Sequence, residues 1–174
     1  AQGYEVSVIG LTYCLDAILP ETISRDLETK LAGLGVNWYL ENTVQSIDKS
    51  AGAYQLTLNG GQALDADLVL SSVGLRPRTA LAVAAGIECK RGIVVDNTLQ
   101  TSAPDVYALG DCSEIQGQFL PYIAPVTHGL KALPDTLLGT QTEVHYPAMP
   151  VVVKTPVLPL LILPAAPGTE GEWQ

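Results

Sequence analysis

Asp111 is the residue of this sequence best placed to do chemistry. It follows Gly110 at the end of the apolar run Val106-Tyr107-Ala108-Leu109. That pattern suits a buried strand delivering an acid at its carboxyl end, after a glycine that lets another backbone or a ligand come close. A carboxylate so placed accepts hydrogen bonds from sugar or polyol hydroxyls. An aspartate there can equally cap the next loop, and the residues alone leave both readings open. Cys112 comes next, with no basic neighbour or second cysteine to lower its pKa, and reads as a structural thiol. Cys14 and Cys89 show neither CxxC nor zinc spacing, and His128 and His145 have no ligand partners at useful spacing. Arg76, Arg78, Lys90 and Arg91 form the one basic concentration. They could meet a cofactor phosphate or an acidic partner, but scattered solvated charge is the plainer reading.

The elements that must position these residues read as α/β. Glu5 to Ile9 is a short apolar strand. Pro20 and Glu21 suit a first helical turn, Ile23, Leu27, Leu31 and Leu34 recur at helical spacing, and Gly35 suits the C-terminal end. Val36 to Leu40 returns as a strand, so the opening is a strand-helix-strand unit with parallel pairing. Tyr54, Leu56 and Leu58 alternate with polar residues up to Asn59-Gly60-Gly61, and Leu64 begins the return of a hairpin. Leu68-Val69-Leu70 reads as a strand buried on both faces. Leu75-Arg76-Pro77-Arg78 is a stiffened connector and the expected domain boundary. Beyond it the sequence predicts a helix over Thr79 to Ala85, strands at Ile93 to Val95 and Val106 to Leu109, and a helix from about Pro125 to Leu138. Pro134 should kink that helix or end it early. Met149 onward reads as an antiparallel strand pair, with Trp173 in a further strand.

Three stretches carry a family resemblance. Thr101 to Cys112, TSAPDVYALGDC, resembles the second flavin motif of the pyridine nucleotide-disulfide oxidoreductase superfamily. Asp67 to Pro77, DLVLSSVGLRP, resembles that family's strand leading from the NAD domain back into the FAD domain, and Gly92 to Thr101, GIVVDNTLQT, the small strand before the flavin motif. Within the superfamily, Met149 to Pro156, MPVVVKTP, is most similar to rubredoxin reductases and the related flavorubredoxin reductases. The resemblance implies a partial flavoprotein of two dinucleotide-binding domains. Residues 1–78 would be the C-terminal half of an NAD(P)H-binding domain, 79–147 the C-terminal part of an FAD-binding domain, and 148–174 the start of an interface domain. It implies FAD as cofactor, NAD(P)H as electron donor, and rubredoxin or a similar small iron-sulfur protein as acceptor. Asp111 takes the role of the ribityl ligand, with Gly110 permitting close approach. By the resemblance Pro125 and Val126, in the helix start that faces the flavin, lie near the ring, Tyr122 and Ile123 could touch it, though a core tyrosine is the plainer reading of Tyr122, and Gly74 joins the cofactor-binding set. No catalytic residue or metal ligand is assigned. A ferredoxin reductase or NADH oxidase of the same superfamily, or a binding protein keeping half the fold, remains an alternative.

No G-x-G-x-x-G occurs in the 174 residues, whereas the resemblance calls for one such loop for FAD and another for NAD(P)H. The expectation is a fragment of a longer enzyme, inactive by itself, with exposed sheet edges that favour self-association. With 47% hydrophobic residues the chain can bury a core, and its formal charge of -9 argues against nucleic acid and anionic membrane surfaces. Prolines at 156, 159 and 164 and Lys154 interrupt the apolar stretch from Pro150 to Pro167, so a spanning helix is not expected. Scattered cysteines fit a cytoplasmic location.

Overall fold

A computed structural model describes residues 3–50 and 52–163. The chain forms two compact units, one holding the described residues up to Ser71 and from Pro150 onward, the other Ser72–Met149.

In the first unit, β1 (Val6–Ile9), α1 (Glu21–Ala32) and β2 (Val36–Tyr39) form the expected crossover, with Val6 opposite Val36 and Ile9 opposite Tyr39 in a parallel pair. Pro20, in extended geometry, precedes α1, whose first turn carries Glu21 and whose last turn carries Lys30, both favourable to the helix dipole. Its buried face is Ser24, Leu27 and Glu28. Ile23 and Leu34, expected on that face, are exposed, because the indole N–H of Trp38 donates to the Glu28 carbonyl at 3.1 Å and turns the 24/27/28 face toward β2. Strands β3 (Val44–Ser50), β4 (Ala53–Leu58) and β5 (Ala63–Ala66) make a separate antiparallel sheet. Gly60 and Gly61 both take positive φ at its second turn, a geometry that favours glycine.

The second unit contains α2 (Ala80–Ala84), β6 (Ile93–Val95), β7 (Ser113–Ile115) and α3 (Ile123–Leu137). Parallel β6 and β7 pair Ile93 with Ser113 and Val95 with Ile115. Val95, Leu99, Ala108, Ile115, Ala132 and Val144 form its core. Returning to the first unit, β8 (Val151–Val153) and β9 (Leu160–Ile162) form the antiparallel pair expected after Met149, and Ile162 packs with Leu19 and Leu27. Trp173 lies outside the described residues.

Two expected strands are absent. The run Leu68-Val69-Leu70 is extended but unpaired, with Leu68 and Leu70 each 83% exposed. A run apolar on both faces forms a buried strand only between neighbours. No described strand lies alongside this one, since β5 has already ended at Ala66. The run from Val106 to Leu109 is likewise no strand of a parallel sheet. Asp105 adopts positive φ, and the tight turn folds the segment back so that Thr101 N–H donates to Val106 O and Ala108 N–H to Leu99 O. Those bonds close one edge of the segment onto the residues just before it, and no described strand pairs with the other edge. Pro134 lies in the last turn of α3, which ends three residues later. The carbonyl it leaves without a helical donor is that of Leu130, on the exposed side, where water can serve it.

Candidate functional site

The loop that presents Asp111 is held from three directions. Gly110 turns the chain with φ +90°. Its carbonyl accepts from the Ser113 N–H at 3.0 Å and the Ser113 hydroxyl at 2.9 Å, while the Ile93 N–H donates to the Cys112 carbonyl at 2.8 Å. Gly92 makes this approach possible. A Cβ there would stand 2.9 Å from the Cys112 carbonyl oxygen and 3.0 Å from the Ser113 carbonyl carbon, both backbone atoms that cannot rotate away. The Gly92 N–H also donates to the buried Glu114 carboxylate at 3.0 Å. At the loop's apex Asp111 is exposed, and among the described residues no donor meets its carboxylate.

Beside this apex is a small hollow whose walls include Leu109, Gly110, Leu120, Pro125, Val126 and Tyr146. A Cβ on Gly110 would lie 3.8 Å from Val126 Cγ2, so the loop and the start of α3 face each other closely. Gly129 permits the same approach one turn on, since a Cβ there would overlap Leu109 Cδ1 and come within 3.2 Å of Leu99 Cδ1. Tyr122 precedes α3 in extended geometry without a side-chain cap. The Ile123 and Ala124 N–H groups therefore open the helix without intrahelical partners, and Pro125 has none to offer. Burial pushes the Tyr146 phenol above its ordinary pKa, with Tyr122 adding to the effect, and burial also raises Tyr122. Ser113 and Gln118 also line the hollow, which has room for about one water molecule; outside it, an exposed carboxylate near an open helix start suits a ligand that offers hydroxyls to the one and negative charge to the other.

Of the residues singled out in the sequence, Gly110, Pro125 and Val126 meet in the hollow, with Asp111 adjacent in the chain to Gly110. Tyr122 does not line it, but its phenol helps raise the pKa of Tyr146. Ile123 is 79% exposed, and Gly74 lies in an irregular exposed stretch, with φ +84° and open space around it; neither lines the hollow. Sequence reasoning missed Leu109, Leu120 and Tyr146 as walls, and Gly92 and Gly129 as the close approaches. The mid-helix position of Gly129 was the available signal, because glycine there weakens a helix unless packing requires it. Among the described residues no three His, Cys, Asp or Glu side chains are grouped to hold a metal, and no helix is long and apolar enough to cross a membrane.

The family described as pyridine nucleotide-disulphide oxidoreductase matches residues 1–131. The chain belongs to this family. The flavin-motif resemblance and the α/β architecture agree with that membership. A crystal structure of an FAD-dependent pyridine nucleotide-disulphide oxidoreductase from Desulfovibrio vulgaris superposes with a TM-score of 0.77 at 26% identity, covering 87% of this chain and 41% of that one. Residues 143–174 match a second family, the rubredoxin binding C-terminal domain. The chain is 43% identical to a rubredoxin-NAD(+) reductase of Alcanivorax borkumensis over 99% of its own length and 46% of the relative's. It is 41% identical to a nitric oxide reductase FlRd-NAD(+) reductase of Aeromonas salmonicida, over 100% of its own length and 45% of the relative's. The chain therefore spans somewhat under half the length of these curated relatives.

Proposed function

We propose that this chain is the flavin-facing and acceptor-facing part of an FAD-dependent NADH oxidoreductase that delivers electrons to rubredoxin. The observation that carries the reading is an exposed Asp111 carboxylate, met by no donor among the described residues, on a loop that closely faces the open start of α3, in a chain whose final segment matches a rubredoxin-binding domain. In this reading residues 1–78 belong to the NAD(P)H-binding domain, 79–147 to the FAD-binding domain and 148–174 to the interface domain, in a cytoplasmic enzyme.

The residues present fit a flavin. Asp111 accepts hydrogen bonds from the ribityl hydroxyls, and Gly110 keeps the approach clear. The N–H groups of Ile123 and Ala124, with the helix dipole behind them, favour negative charge at the ring's pyrimidine edge. Bound FAD would supply the conversion of a hydride, taken two electrons at a time, into single-electron transfers. NADH rather than NADPH is the donor we assign, since the relatives named above are NAD(+) reductases. Arg25, a cation that could otherwise attract a 2′-phosphate, is already paired with Glu21 and Glu28 at 3.2 and 3.1 Å.

The test is a chimera in which the part of the Alcanivorax borkumensis reductase that this chain does not span is fused to it. The purified chimera is assayed with NADH against rubredoxin, ferredoxin and oxygen. Rubredoxin reduction far exceeding the other two is expected. A preference for ferredoxin or oxygen would move the assignment to a ferredoxin reductase or NADH oxidase of the same family.

A further inference from the structure

We propose that the outward face of the β8–β9 hairpin, formed by Val152, Leu161 and Leu163 with Lys154 at its rim, is the surface on which rubredoxin docks; this rests on the rubredoxin reading given above.

The hairpin is apolar on both faces. Side chains alternate along a strand, so Val151, Val153, Leu160 and Ile162 turn one way and pack with Leu19 and Leu27. Val152 and Leu161, directly opposite one another in the antiparallel register, turn the other way and are 54% and 71% exposed. Leu163, two residues beyond Leu161, is exposed as well. An antiparallel pair with one face on a core normally turns polar side chains to water on the other. Three large aliphatic side chains there mark a contact surface.

Two observations point to the occupant. Residues 143–174 match the rubredoxin binding C-terminal domain. The described part of that match begins in the second unit, where Val144 is buried in the core, and its large exposed aliphatic side chains are Val152, Leu161 and Leu163. Charge points the same way. The chain carries a formal charge of -9, yet between Glu143 and Glu170 it has no acidic residue and one lysine, Lys154, which lies two residues beyond Val152 and is exposed. A rubredoxin whose apolar contact patch is rimmed by carboxylates is repelled elsewhere on this chain but meets here an apolar face with a cation at its edge. A small patch of this kind suits the weak, brief encounters of electron transfer.

The test titrates zinc-substituted rubredoxin into the isotopically labelled full 174-residue chain while NMR follows methyl resonances. Those of Val152, Leu161 and Leu163 should move along one binding curve, and those of Leu19 and Leu27 far less. Leu161→Asp, which sets a carboxylate in the middle of the face, should raise the dissociation constant at least about tenfold, and Lys154→Gln should flatten its dependence on salt. Shifts confined to other residues, or equal affinity for the wild type and Leu161→Asp, would overturn the proposal, while the chimera's acceptor preference still judges the rubredoxin reading by itself. The absence of any shift at millimolar rubredoxin would refute the proposal in the same way. If the methyls of this face move with the chain's own concentration, without rubredoxin, the face belongs to a second copy and the proposal fails. The wild-type shifts decide the matter even if a variant fails to fold.

Discussion

Replacing Gly92 with alanine should loosen the loop that presents Asp111. The added Cβ would meet three backbone atoms at once: the Cys112 carbonyl oxygen at 2.9 Å, the Ser113 carbonyl carbon at 3.0 Å and the Glu114 nitrogen at 3.1 Å. All three belong to β7 or the residue before it, so relief requires β6 and β7 to separate. That separation stretches the Ile93 N–H bond to Cys112 O and the Gly92 N–H bond to the buried Glu114 carboxylate, now 2.8 and 3.0 Å. Overpacking of a tight site destabilises by about 1 to 3 kcal/mol, and weakening a buried bond to a carboxylate adds about 1 kcal/mol. Alanine restores some stability by restricting the unfolded chain, about 0.4 to 1 kcal/mol. The net expectation is a loss of about 1 to 3.5 kcal/mol, a substantial share of a typical domain's stability of roughly 5 to 15 kcal/mol. Urea unfolding followed by circular dichroism measures it, and the Asp111 amide resonance should shift in the folded variant. A loss under about 0.5 kcal/mol with an unmoved Asp111 resonance would show that this contact does not hold the loop.

Glu28→Ala should destabilise by about 1 to 3 kcal/mol, because the Cys14 N–H, which donates to Glu28 at 2.7 Å, is left unpaired; Glu28→Gln keeps an acceptor and should lose less, as thermal unfolding will register. Burial raises the pKa of Cys14, Tyr122 and Tyr146. The folded state therefore holds these protons more tightly than the unfolded state, and their contribution is full below the ordinary thiol and phenol values. It is lost as pH rises through the raised values, so urea midpoints should fall at alkaline pH, and a flat alkaline profile would contradict the burial of these groups. Leu68 and Leu70 leave an apolar, unpaired edge, so the sedimentation-derived mass should rise with concentration and a Leu68→Lys/Leu70→Lys double variant should suppress the rise. Identical profiles would place self-association elsewhere.

Local signals in the sequence were legible where they act locally. Pro20-Glu21 marks the start of α1, and Asn59-Gly60-Gly61 marks the β4–β5 turn, because each fixes backbone geometry within a few residues. Leu27 and Leu31 of the expected helical face do pack in the core, while Ile23 is exposed and Leu34 lies past the helix end, since the contact from Trp38 to the Glu28 carbonyl that helps orient α1 joins residues ten apart. Apolar runs misled where pairing decides the outcome. Leu68-Val69-Leu70 and Val106-Tyr107-Ala108-Leu109 have strand composition, but composition does not say which neighbour accepts the backbone bonds. The site divides in the same way. Gly110, Pro125 and Val126 were readable from motif and helix start, while Gly92 and Tyr146 act through contacts that only the folded chain brings together.

The central claim, that the Asp111 loop and the start of α3 hold a flavin, is tested most directly by flavin content. The chimera with the Alcanivorax borkumensis segment is purified with Asp111 intact and as Asp111→Ala, dialysed exhaustively, and its flavin absorbance compared per protein. Loss of one or two hydrogen bonds to a carboxylate, about 1.5 to 3 kcal/mol each, weakens retention roughly tenfold or more. The intact chimera should therefore stay yellow and the variant should lose most of its flavin. Equal flavin in both would contradict the assignment of Asp111 and of the helix start its loop faces.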